Sequence, residues 1–200
     1  MLLLLFTIPA GECAAQTPPP PLDEHVLERV PSTVVKRLAT RFSLGAFAGR
    51  LEETRLSAVR DAVGEGAIQH QGDAGDSLYW LCYQRAQHRL WLSSGEISGP
   101  DHLVTEIVEE LTETATETST DCASLPEKFA PVVLNGKLHL GMSRQEIVKA
   151  LGPPSKSDAA QIVYSYKGKL AKGFDETAWL ILRLREDKLV SMRSLKTTTN

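Results

Sequence analysis

Hydrophobic positions recur along the chain first at helical and then at strand spacing. Ser32 precedes Thr33–Phe42, where Val34, Val35, Leu38 and Phe42 return every three or four residues, which predicts a helix with a serine cap. A second helix is predicted over about 55–63, with Leu56, Val59, Ala62 and Val63 on one side and Gly64 as its stop. Gly72-Asp73-Ala74-Gly75-Asp76 is turn chemistry. Strand-like stretches follow at Leu78–Gln84, Arg89–Ser94 and Leu103–Leu111. Thr112–Asp121 is rich in Thr and Glu and has no basic residue. It reads as a linker or exposed edge tied down by Cys122, with a continuation of the third strand an equal reading at its start.

The second half repeats the plan. Ser143-Arg144-Gln145-Glu146 is a Ser-x-x-Glu capping box that opens a short helix burying Ile147, Val148 and Leu151, and Gly152-Pro153-Pro154 stops it. Strands are predicted at Ile162–Tyr166, Ala178–Leu184 and Leu189–Leu195. RLSAVRDAVG from Arg55 parallels RQEIVKALG from Arg144, LYWLCY from Leu78 parallels IVYSY from Ile162, and DHLVT from Asp101 parallels DKLVS from Asp187. Their common order predicts an α+β fold of two tandem units, each a helix followed by an antiparallel meander, with the helices covering one face of each sheet. The expected boundaries are a first unit at 32–111, an acidic, Thr-rich linker at 112–131 and a second unit at 132–197.

The amino terminus changes the picture. Leu2–Ile8 is a short apolar run broken by Pro9 and Gly11, and Cys13-Ala14-Ala15 offers small residues for cleavage before Gln16. We read 1–15 as a signal peptide cleaved near Ala15, which places the protein in the periplasm or outside the cell; a frayed terminus or the first strand of a cytoplasmic domain is the other reading. No Lys or Arg precedes Arg29, so positive charge ahead of the run comes from the amino terminus alone. Glu12 stands where a lipoprotein signal needs a small residue, which argues against a lipid anchor on Cys13. The Pro18–Pro21 tract suits a tether over 16–31. Cleavage would remove Cys13 and leave Cys82 and Cys122, which would pair in an oxidising compartment and otherwise be two separate buried thiols.

Composition adds exclusions. Across 200 residues, 22 basic and 25 acidic side chains give a net charge of -3, with no Lys/Arg-rich stripe to bind nucleic acid. Past the first residues no apolar run is long enough for a transmembrane helix, while peripheral membrane association stays open. Phosphate loops, Cys-x-x-Cys, His-Glu-x-x-His, Gly-x-Ser-x-Gly and Ser-x-x-Lys are all absent. The five histidines (His25, His70, His88, His102 and His139) lack ligand spacing, so we expect no metal, no cofactor and no enzyme. Asp73 and Asp76 read as a turn rather than a calcium loop. The acid run Glu106, Glu109, Glu110, Glu113 and Glu117 reads as a solvated edge that discourages strand addition.

LGMSRQEIVKALGPPS, a Tyr-containing strand, and WLILRLREDKLVSM together resemble the SmpA/OmlA (BamE-like) family of small outer-membrane assembly lipoproteins, over roughly Leu138–Leu195. The tandem plan with a disulfide is similar to that of the secreted β-lactamase-inhibitory proteins. The resemblance implies an α+β envelope binding module.

Alternation gives that expectation a surface. On 178–184 it puts Leu180, Leu182 and Leu184 on one side and Trp179, Ile181, Arg183 and Arg185 on the other. Tyr164 and Tyr166 share a face of the preceding strand, and Tyr79, Tyr83 and Trp91 supply aromatics in the first half. Tyr, Trp and Arg dominate interface energetics, so Trp91, Tyr164, Tyr166, Trp179, Arg183 and Arg185 are the candidate protein-binding residues. The competing reading is that these aromatics pack between the units or under the linker. The functional expectation is a non-enzymatic exported module that binds envelope proteins; the alternative is a secreted or periplasmic inhibitor of a hydrolase such as a β-lactamase or peptidase.

Overall fold

The computed structural model describes residues 16–27, 30, 38, 40–73, 75–112, 122–170 and 173–199. The signal peptide expected at 1–15 and most of the helix expected at Thr33–Phe42 lie outside the described residues. At that helix's end the structure differs: Phe42 belongs to strand β1 (Arg41–Leu44), which turns at Gly45 (φ +54°) into β2 (Phe47–Arg50). Phe42 and Leu44 alternate with exposed Arg41 and half-buried Ser43, so the local period is two, not 3.6.

Both helices form where their end signals stand. Helix α1 (Leu56–Val63) buries Leu56, Val59 and Val63 and ends at Gly64, whose φ of 83° lets its N–H close on the Arg60 carbonyl. Helix α2 (Arg144–Leu151) opens with the reciprocal capping box: Ser143 Oγ accepts from the Glu146 N–H, and the Glu146 carboxylate accepts from the Ser143 N–H at 2.8 Å. Ile147 is its fully buried side chain.

The remaining strands are β3 (Gln69–Gln71), β4 (Leu78–Arg85), β5 (His88–Gly95), β6 (Glu106–Leu111), β7 (Ala123–Ser124), β8 (Val132–Leu134), β9 (Lys156–Ser157), β10 (Gln161–Lys169), β11 (Asp175–Arg185) and β12 (Lys188–Thr199). The large sheet runs β3-β4-β5-β6-β12-β11-β10-β9, with β7 parallel to the outer edge of β4. A small sheet runs β2-β1-β8. The meander of the first half therefore abuts that of the second, last strand to last strand, through the antiparallel pair β6–β12.

That junction alters the expected organisation. The halves share one sheet, and one hydrophobic cluster collects Leu56 and Val59 of α1, Ile147 of α2, Leu81, Leu92, Ile107, Leu180 and Met192 of the large sheet, and Leu44 and Leu134 of the small sheet. Helices and small sheet cover the same face. The linker read at 112–131 is also partly structural: beyond the undescribed residues 113–121, Leu125 and Phe129 enter the core, and the following β8 pairs with β1 of the first half.

The opposite face is crossed by the segment expected to be a tether. Gln16 Oε1 accepts from the Cys82 N–H at 3.2 Å, the Thr17 carbonyl accepts from Trp91 Nε1 at 3.0 Å, and the Pro20 carbonyl accepts from Arg193. Pro21, Leu22 and Val26 continue beside Ile181 and Arg183. Residues 16–26 are thus a strap laid across the strands from β4 to β11. The physical reason is that this face of β4–β6 carries Trp80, Cys82, Trp91 and Val108, an apolar cluster that needs a cover.

Candidate binding face

Strand register organises the strapped face into cross-sheet rows. One row runs Cys82, Trp91, Val108, Arg193, Ile181, Val163. A second runs Trp80, Ser93, Glu106, Leu195, Trp179, Ser165, and a third runs Gln84, Arg89, Glu110, Ser191, Arg183, Gln161. The first is the row under the strap. Trp91, Cys82 and Ile181 are buried in it, and the Cys82–Cys122 disulfide closes at its β4 end.

The structure separates the six candidate residues. Trp91 is 2% exposed and its indole N–H is spent on the strap, so its assignment to an open face is corrected: the strap occupies it. Tyr164 is 3% exposed and pairs with Leu180, so it belongs to the helix-covered face, where its hydroxyl donates to the Gly152 carbonyl at 2.8 Å. Burial pushes its phenol up to about 12. Tyr166 lies half-buried on that same core side. Trp179 is half-buried on the strapped face, and Arg183 and Arg185 are exposed. Of the six, Trp179, Arg183 and Arg185 therefore stay accessible, with Trp179 and Arg183 in the rows on either side of the strapped one. Strand alternation identified which residues share a face; it had no means of naming the cover.

Two functional-looking acids were misread as a solvated edge. Because β6 lies between β5 and β12, Glu106 and Glu109 sit mid-sheet. Glu106, on the strapped face, accepts from Ser93 Oγ at 3.1 Å and pairs with Arg193 at 3.4 Å; burial raises its carboxyl against the lowering by Arg193 and Ser93. Glu109, on the helix side, is 3% exposed and bonds His88 Nδ1 at 3.0 Å. Burial raises it too, opposed by His88 and by the charge of His139. Its Oε2 has no hydrogen-bond partner among the described residues, and the group lines a cavity of about 370 Å³ with Arg85, His88, Glu127 and His139. Among the described residues that line that cavity there is no serine, threonine or cysteine. A larger cleft of about 700 Å³ lies at the other end of the sheet, where Lys196 bridges Glu52 at 3.0 Å and Glu176 at 3.5 Å. Among the described residues no group of three or more His, Cys, Asp or Glu is placed to hold a metal ion, and no helix is long and apolar enough to cross a membrane.

The elements define an α+β protein with, among the described residues, two short α-helices and large antiparallel sheets. No family model matches the chain, the SmpA/OmlA family included, and no curated protein matches it. Among solved structures the chain is similar to a protein from Streptococcus mutans described as a "putative beta-lactamase inhibitor protein". Identity is 15%, over 79% of this chain and 88% of that one, with a TM-score of 0.27. A likeness at that level leaves the ligand of this chain to be read from its own residues.

Proposed function

We propose that this chain is a non-enzymatic, exported protein-binding module of the bacterial cell envelope, docking through the part of the sheet face around Trp179 and Arg183. The observation that carries the reading is the division of that face. The strap covers Trp91 and its apolar neighbours, while Trp179 stays half-buried and Arg183 exposed in the rows on either side of the strapped one. Trp and Arg on a rigid central strand bury large areas with polar handles and little loss of entropy, the requirement for an interface anchor. Export is supported by the Cys82–Cys122 disulfide, since such bonds persist in oxidising compartments.

The test is capture from solubilised cell envelope on immobilised oxidised protein, with Trp179→Ala and Arg183→Ala in parallel. One protein should be recovered stoichiometrically by the native chain and lost with either variant, each shown folded by its melting temperature. Equal recovery by native protein and variants refutes the face. If the captured protein is a hydrolase whose activity falls on titration with this chain, the module is an inhibitor rather than a scaffold.

A further inference from the structure

The helix-covered side of the sheet holds a cavity that the docking face does not use, the one of about 370 Å³ that Glu109 lines with His88 and His139. Glu109 is 3% exposed, and its two oxygens differ. Oε1 accepts from His88 Nδ1 at 3.0 Å, whereas Oε2 is buried without a hydrogen-bond partner among the described residues. Leaving a buried carboxylate oxygen unmet costs free energy, so a donor is missing from this site. Nearby cations do not supply it. Arg85 is engaged with Glu127 at 3.1 Å, and residues 113–121, which follow β6 in the chain, contain no Lys, Arg or His. Burial raises the Glu109 carboxyl, and the groups that oppose the rise are the imidazoles of His88 and His139 rather than a permanent charge.

The lining sets the chemistry of what fits. Leu125, Val132 and Leu140 add apolar wall to the polar end at Glu109. The volume lies at the small end of the range for ligand sites, roughly 300–1,000 Å³. One unmet oxygen suits the point charge of a primary ammonium better than a guanidinium fork, which pairs with both oxygens of a carboxylate. The terminal torsion of a glutamate is soft, so Oε2 can turn to meet a donor that enters the cavity. His88, with its Nδ1–H given to Glu109, keeps a lone pair on Nε2 for a second N–H. We propose that this cavity is a binding site for a primary alkylammonium, with the ammonium on Glu109 Oε2 and the alkyl stem against Leu125, Val132 and Leu140. The group is carried either by a free amine or by a lysine side chain of another protein.

Titration of the full chain with n-butylammonium at constant pH, followed by the NMR signals of the His88 and His139 rings, tests this. The expected result is a saturable shift of the His88 signals in the millimolar range, fitting for so small a probe. The shift should be absent with 1-butanol, which has the same shape without the charge, and with butyrate. Glu109→Gln should weaken n-butylammonium by about tenfold or more. Nα-acetyllysine amide separates the two sources: binding as tight as n-butylammonium or tighter identifies a lysine side chain, and weaker binding a free amine. No saturable shift with n-butylammonium overturns the site. Equal binding of 1-butanol overturns it by making the cavity merely apolar, and preference for butyrate by making the imidazoles an anion site. These three results are read on the native chain and stand even where Glu109→Gln does not fold. Undiminished affinity in a folded Glu109→Gln chain overturns it as well.

Discussion

Replacing Cys82 and Cys122 together by alanine should cost about 5 kcal/mol. The bridge spans a sequence separation of 40, and chain-entropy reasoning for a loop of that length gives about 4 kcal/mol at 25 °C. Cys82 is also fully buried against Trp80, Trp91 and Val108, so trimming its sulfur leaves a small void worth roughly 1 kcal/mol more. Domains are stable by only about 5–15 kcal/mol in total, so the variant should keep little reserve and unfold at a much lower denaturant concentration. Urea unfolding followed by tryptophan fluorescence reads this directly, because two of the three tryptophans, Trp80 and Trp91, lie in the cluster beside the bridge. Adding reductant to the native protein should reproduce most of the loss. The dependence of stability on urea should also steepen, since the unlinked denatured chain exposes more surface. A loss below about 1 kcal/mol, with the oxidised bond verified by mass in the native sample, refutes the loop-entropy argument.

Three further outcomes follow from the strap, the buried acid and the helix cap. Trp91→Phe keeps the ring packed but leaves the Thr17 carbonyl without its donor, a cost of about 1–2 kcal/mol that should appear as faster amide exchange over 16–26; unchanged exchange there contradicts the strap's anchoring. Burial holds the Glu109 carboxyl above its ordinary range, so the native state binds that proton more tightly than the unfolded chain. Stability should then fall as pH rises from about 4.3 toward the folded-state value. Glu109→Gln should flatten that fall and gain more stability at pH 7 than at pH 4; an equal change at both pH values refutes the assignment. Ser143→Ala removes the Oγ that accepts from the Glu146 N–H, leaves the backbone N–H of residue 143 to the Glu146 carboxylate, and should cost about 1 kcal/mol in urea unfolding, with Ser143→Thr close to native; equal losses in the two variants would show that the side-chain cap contributes nothing.

How far the residues themselves specify the molecule depends on the range of the interaction. End signals and alternation act over three to five residues, so Gly64, the Ser143–Glu146 box and the Leu180-Leu182-Leu184 side of β11 were legible and appear where expected. The β1–β2 hairpin was missed because Val34, Val35, Leu38 and Phe42 also fit a helical period, and a short apolar run does not choose between the two. Of the candidate face, alternation correctly grouped Trp179 with Arg183, but Trp91 and Tyr164 looked equally available. Each has a partner that local spacing does not encode: a carbonyl 74 positions away for Trp91, and a core side shared with α2 for Tyr164.

By itself, then, the sequence determined helices α1 and α2, most strands of the large sheet, the cysteines available to pair, and which side chains of one strand share a face. Only the tertiary structure decided that the two meanders join at β6–β12, that Glu106 and Glu109 therefore lie mid-sheet, and that the Pro-rich segment is a cover. The physical reason is that backbone geometry fixes the direction of neighbouring side chains residue by residue. What shields an apolar face from water is settled by which distant surfaces bury the most area together, as when Pro20 reaches Arg193 across 173 positions of chain.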